Sequence, residues 1–243
     1  MTICSVQVQT VELLRALKNI LELVKPMAGD PKDRVPSVLL SPQSPQDGEA
    51  GSLLIIGASP YVAALEEVPI INTAPFTPAD IDVLKVAPVK SDVIDDLTKA
   101  LSALSKTSKA RDAVITLEVE QGARIAFYAG TALIAELPAH GTSREYFEAM
   151  LSWIDADPKK LTAPVMFNAA VLSRFKGVRA RGGGNRAPIV DLAGDATPDG
   201  AQAPRLQFKI GETLYGVVAA IDRDLYASGG PWGDGPGTPG SKL

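Results

Sequence analysis

An α+β fold assembled from repeated β-α-β-β-β units is the architecture this sequence predicts. Two observations carry the prediction. Stretches of helical apolar period recur along the 243 residues, each preceded by one strand-like run and followed by three more. Each of these helices is apolar along one stripe only, and such a stripe is buried by packing on a sheet.

The first unit opens at residues 4–9, where Val6 and Val8 alternate with polar neighbours as in a strand. Residues 10–25 read as a helix, with Leu14, Leu17, Leu21 and Val24 on one face, Thr10 placed to cap it and Lys25-Pro26 to close it. Strand-like runs follow at 35–40, 52–57 and 61–70, and the Ser-, Pro- and Gly-rich stretch 41–51 reads as a long hairpin loop. The second unit repeats the order. A strand is expected at 81–86. Ser91 then caps a helix through Lys106, with Val93, Leu97, Leu101 and Leu104 inward and Asp92, Asp95 and Asp96 at the end the helix dipole favours. Its strands are expected at 113–119, 123–128 and 132–137.

A third unit follows a short linker helix at 143–156. It comprises a strand at 163–167, a short helix capped by Asn168 with Val171, Leu172 and Phe175 on one face, and strands at 189–192, 206–210 and 214–221. Loops at 177–187 and 193–204 interrupt it, and the Gly- and Pro-rich end is expected to be disordered. The expected organisation is a two-unit domain at 1–140 (halves 3–71 and 80–138), a linker at 141–162, a half-domain at 163–223 and a tail at 224–243.

Composition narrows the function. The apolar share is 46% and the charged share 21%, as in ordinary globular proteins, while aromatics are only 5%, so Leu, Val, Ile and Ala must build the core. A lone cysteine, Cys4, allows no intramolecular disulfide and suits a buried position in a reducing compartment. Neither a signal peptide nor an apolar run of the roughly 18 residues that a bilayer requires is present, so a soluble, cytoplasmic protein is expected. Net charge is −4, yet seven basic and no acidic residues lie between Lys159 and Arg186, while acids gather in 80–96. One basic and one acidic surface are the expected result.

Catalysis and metal binding find little footing. The only histidine, His140, sits in a turn sequence without a partner motif, and one His with one Cys excludes the usual zinc sets. Gly182-Gly183-Gly184 lacks the strand-before, helix-after setting of a phosphate loop, and the acids of 80–96 lack metal-loop spacing. No enzyme activity, no metal and no cofactor are expected.

Particular stretches resemble a known family. Leu14-Arg15-Ala16-Leu17-Lys18-Asn19-Ile20-Leu21 followed by Val35-Pro36-Ser37-Val38-Leu39-Leu40 is similar to the first helix of a DNA sliding-clamp domain and the proline-then-strand after it. Residues 53–63 resemble the family's strand-turn-strand, and Phe167-Asn168-Ala169-Ala170-Val171-Leu172-Ser173-Arg174-Phe175 the start of its last half-domain. The family meant is the bacterial polymerase III beta processivity factor with its phage relatives. The resemblance touches most of 1–223 but departs in number: clamp chains carry an even number of half-domains, and three are read here.

The resemblance implies a non-enzymatic homo-oligomer of a bacterial or phage-infected cell that tethers a DNA polymerase to duplex DNA, with a clamp loader as a further partner. Its helices would face the duplex. The cations they offer are Arg15, Lys18 and Lys25 on the first, Lys99, Lys106 and the following Lys109 on the second, and Arg174, Lys176, Arg179 and Arg181 around the third. A solvated face is the plain alternative for these residues. The family's peptide pocket would fall near Val217, Val218, Ala219 and Ile221, for which ordinary sheet core is the alternative. A different class of function is a clamp mimic that binds replication partners or a host clamp without encircling DNA.

Overall fold

A computed structural model of the chain describes residues 2–26, 37–43, 51–59, 61–73, 88–106, 113–120, 124–138, 148–149, 151–152, 154–155, 167–181, 189–195 and 205–220. The expected strands at 81–86 and 163–166, His140, the glycines 182–184, Lys109, Ile221 and the tail lie outside them.

The first unit consists of β1 (Thr2–Gln9), α1 (Thr10–Val24), β2 (Ser37–Gln43), β3 (Ser52–Ala58) and β4 (Val62–Thr73). The second consists of β5 (Pro88–Lys90), α2 (Ser91–Ser105), β6 (Val114–Glu120), β7 (Arg124–Ala129) and β8 (Ala132–Pro138). The third contains α3 (Ala169–Leu172), which runs into a 3₁₀ turn (Ser173–Gly177), and then β9 (Val190–Asp195), β10 (Arg205–Ile210) and β11 (Leu214–Ala219).

The first two units exchange their leading strands. β1 pairs antiparallel with β6 of the second unit, and β5 pairs antiparallel with β2 of the first. Within each unit the three later strands form a meander, β2-β3-β4 and β6-β7-β8, and α1 packs beside α2. Each unit thus closes the sheet of the other, a pseudo-two-fold arrangement.

β4 joins the first and third units. Of its 12 residues, 63–69 pair with β3 on one edge. On the other edge residues 62–66 pair with β11 and residues 70–73 pair with β1. A register shift opposite Gln7/Val8 leaves Ile71 bulged and exposed at the β1 crossing.

The main core lies between the helices and the sheet. Leu13, Ala16, Leu17, Ile20, Leu23 and Val24 of α1 and Ile94, Leu97 and Leu101 of α2 are buried on it, with Phe127, Phe208, Leu53 and Ile55 beneath. The opposite face carries a second cluster in which Leu39, Ile56, Ala58, Ala63, Leu65 and Val217 meet Ile154 of the linker. Strands clothed on both faces explain the near-continuous apolar runs of β3 and β4.

Several expectations need correction. Thr10 does not cap α1: Gln9 holds the cap position without a side-chain bond, and Thr10 begins the helix, buried, with its N–H donating to the Ala113 carbonyl at 2.9 Å. Its hydroxyl donates to the same carbonyl, so the residue ties α1 to the start of β6. The buried stripe of α1 is wider than foreseen, and Leu21 is only half buried. β2 continues through Ser41–Gln43 and β9 through Ala193–Asp195, both read as loop. The second unit's described leading strand lies at Pro88–Lys90, just before α2. Asn168 does cap α3, its side chain accepting from the Ala170 N–H at 2.9 Å.

Gly216 sets how closely β11 approaches β4. A Cβ there would stand 2.2 Å from the Ala63 carbonyl oxygen and 2.8 Å from Ala64 Cα, both main-chain atoms. We expect Gly216→Val to lower the urea midpoint by a loss of about 1–3 kcal/mol or more, as overpacking does. An unchanged midpoint would contradict this close approach.

Candidate nucleic-acid interface and partner surface

The helices lie together on one side of the sheet, α1 beside α2 and the 3₁₀ turn against α1. Beneath α1, β4 carries a carboxylate where an apolar residue is expected. Glu66 alternates in phase with Ala64 and Val68 and is completely buried. Arg15 reaches down to it with Nη1 and holds Glu12 with Nη2 at 2.8 Å. Asn19 Nδ2 donates to Glu66 at 3.0 Å. The same amide pairs with the backbone of Arg179, donating to its carbonyl at 2.8 Å and accepting its N–H at 2.8 Å. Arg181 Nε closes the set on Glu12 at 3.3 Å. The third unit is thereby fastened to α1 as well as to β4.

Burial raises the Glu66 carboxyl to about 7, against the opposing pull of Arg15 and Asn19. The network leaves about 15% of the Arg15 side chain exposed. Arg174 is buried, donating to the Leu23 carbonyl at the end of α1 at 2.6 Å. Both were expected on an outer polar face; both instead join α1 to the rest of the molecule, because carbonyl and carboxylate acceptors beneath and beside the helix need donors.

The remaining expected cations divide. Lys18 and Lys106 are exposed. Lys25 is exposed and held by Glu22 at 2.7 Å. Lys99 is exposed and lies between Asp95 and Asp96 at 3.0 and 2.9 Å, which raise its ammonium to about 12, Asp96 most. Lys176, Arg179 and Arg181 are exposed around the 3₁₀ turn, beside Glu22, whose side chain abuts Gly177. The helical side thus offers cations along α1 and the 3₁₀ turn, while the first half of α2 is acidic.

The far face is differently made. Val217 and Ala219 point to it and Val218 points into the main core, so the expected partner residues fall on two sides of β11. Here Gln207 Nε2 donates to the Ile154 carbonyl at 2.8 Å, and Tyr215 donates to Glu67 at 2.7 Å. Burial, then the Glu67 carboxylate, pushes the Tyr215 phenol upward. A pocket of about 490 Å³ opens beside them, lined by Ile154, Asp191, Ala193, Gln207, Lys209 and Tyr215 among others. Among the described residues no group of three or more His, Cys, Asp or Glu is placed to hold a metal, and no helix is long and apolar enough to cross a membrane.

No protein-family model and no curated protein matches the sequence. Solved structures do. The DNA polymerase III beta subunit of Thermotoga maritima superposes with a TM-score of 0.53 at 12% identity, covering 90% of this chain and 65% of that one. A protein assigned as a DNA polymerase III beta subunit from Eubacterium rectale gives 0.54 at 8% identity with the same coverage. The fold is that of the polymerase III beta sliding clamps. The chain spans about two thirds of the length of these clamp structures. Clamp-fold units repeated along one chain account for the exchanged leading strands and for helices confined to one side.

Sequence reading missed Glu66, Asn19 and the pocket. The signal for Glu66 was present, since it falls in the apolar phase Val62, Ala64, Val68, Ile70. Asn19 likewise interrupts the buried face of α1 between Ala16, Ile20 and Leu23.

The folded protein holds the Glu66 proton up to about pH 7 and the unfolded chain only to the ordinary carboxyl value of 4.5. Between those limits the native state binds more protons, so this contribution to stability is full at the acid end and is lost as pH rises through 7. Glu66→Gln is expected to flatten that loss in urea titrations at pH 5 and 8. Arg15→Met, which removes the opposing cation, is expected to steepen it. Equal slopes for all three chains would contradict the assignment.

Proposed function

We propose that this chain is a DNA sliding-clamp-like processivity factor, which tethers a DNA polymerase to duplex DNA through non-specific backbone contacts and carries out no catalysis itself. The observation that carries this reading is the segregation of faces. Helices and the residues that directly follow them, with exposed Lys18, Lys25, Lys106, Lys176, Arg179 and Arg181, occupy one side of a continuous sheet, and an apolar cluster with a pocket occupies the other. Lysine and arginine on helices contact phosphates without reading bases, which is what movement along a duplex requires. Lys99 arrives with two carboxylates, so its contribution is small; Lys109 would extend the α2 end. Arg15 and Arg174 act by holding α1 in place.

The polymerase would dock on the far face. A peptide with an apolar anchor fits the pocket beside Tyr215 and Ile154; Val217 clusters with those two residues, and Ala219 and Ile221, which follow it in the chain, would extend the docking surface. A clamp loader is a further partner, the site of action is the cytoplasm of a bacterial or phage-infected cell, and the working form is a homo-oligomer. Weak contacts alone typically hold DNA at roughly 10⁻⁴–10⁻⁶ M, so residence depends on encirclement.

A second reading, a mimic that binds clamp partners without encircling DNA, is favoured by one feature. The outer edges of β8 and β9 have no strand beside them among the described residues, as suits addition to another sheet.

The test is DNA binding as a function of salt. Binding to duplexes of unrelated sequence is expected to be equal and to weaken steeply with salt. Lys18→Gln and Lys176→Gln are each expected to reduce the log–log slope by about 0.9 if each contacts one phosphate. Absence of binding at low salt, with the pocket still taking a polymerase peptide, would favour the mimic.

A further inference from the structure

The described part of the third unit has the helix and the three later strands of the first two, and among the described residues it lacks what those two give each other. In the first unit, helix-side residues of the first strand after the helix are shut off from solvent: Val38 is 0% and Leu40 2% exposed. α2 of the second unit lies over β2, and β5 hydrogen-bonds to its edge. In the second unit Ile115 and Leu117 of β6 are both 0% exposed, and β1 of the first unit pairs along that edge. The corresponding strand of the third unit is β9. Leu192 faces the helix side there, paired in register with the buried Phe208, yet it is 55% exposed, and Ile189 just before it is 79% exposed. On the unit's own helix Leu172 is also exposed. Three of the five exposed large apolar residues among the described residues thus belong to this one unit.

We propose that the third unit pairs with the third unit of a second copy of this chain, the two forming together what the first and second units form within one chain. The occupant is argued from the molecule's own internal interface. Units of this order bind each other by laying helix beside helix and by closing the edge of the mate's sheet, and both of those faces are the uncovered ones here. A two-fold contact of this kind brings each patch against its own copy. The basic segment does not oppose it, because Arg179 and Arg181 are bound to α1 at the opposite end of the β9-β10-β11-β4 order. This deepens the homo-oligomer in the proposed function by naming its contact, and it rests on the fold rather than on DNA binding.

Sedimentation of the full chain without DNA tests the proposal. The expected mass is an even multiple of 25.5 kDa. Leu192→Glu and Leu172→Glu, both at exposed positions and checked for an unchanged unfolding transition, are expected to break this contact. Leu133→Glu, at the exposed β8 edge, is expected to leave it intact. A second readout needs no substitution: amides of β9 should exchange more slowly with solvent at high protein concentration than at low. A monomer at every concentration, or an assembly that survives both leucine variants, would overturn the proposal. Pairing that persists in a chain unable to hold DNA would leave it standing while removing the proposed function.

Discussion

β4 is the constraint on which the rest of the molecule depends. One strand of 12 residues hydrogen-bonds to two strands of its own unit and to one of the third, and α1 lies across it. Such sharing needs a strand free of interruptions and a close approach on each side. Gly216 gives that approach toward β11, and Gly57, where a Cβ would stand 2.3 Å from Ile20, gives it between β3 and α1. Pro69 is accommodated where residues 67–69 leave the β11 pairing and have not yet met β1.

The charge placed beneath that helix is costly and specific. Replacing a buried ion pair by apolar side chains is often neutral or stabilising, so Arg15–Glu66 is weak support for stability as such. Its geometry does something else. Glu66 orients Asn19, Asn19 holds the Arg179 backbone through both of its polar atoms, and Glu12 holds Arg15 and Arg181. The arrangement fixes the position of the third unit relative to α1, and it leaves Lys18, Lys25, Lys176 and Arg179 on the side where the helices face outward.

The repeat was legible because its signal is periodic. Apolar spacing placed α1 and α2 and most strands within a few residues, and Asn168 announced the cap it makes. The site was less so. A count of cations on polar helix faces treats Arg15, Lys18 and Arg174 alike, whereas the fold ties Arg15 and Arg174 to acceptors contributed by β4 and the end of α1. Those acceptors are distant in sequence, Glu66 51 positions from Arg15 and Leu23 151 from Arg174, so helix periodicity carries no trace of them. The strand exchange was illegible for a similar reason: β1 and β5 look alike as leading strands whether each closes its own unit or the other's.

The proposed function rests on encirclement, because non-specific phosphate contacts alone hold DNA only at roughly 10⁻⁴–10⁻⁶ M. The most direct measurement is retention on covalently closed circular DNA compared with the same DNA after linearisation, at a salt concentration that abolishes simple binding. The account predicts that protein assembled on the circle stays through gel filtration and is lost when one cut is made. Equal loss from circular and linear DNA would contradict encirclement and leave a partner-binding protein with a clamp's fold.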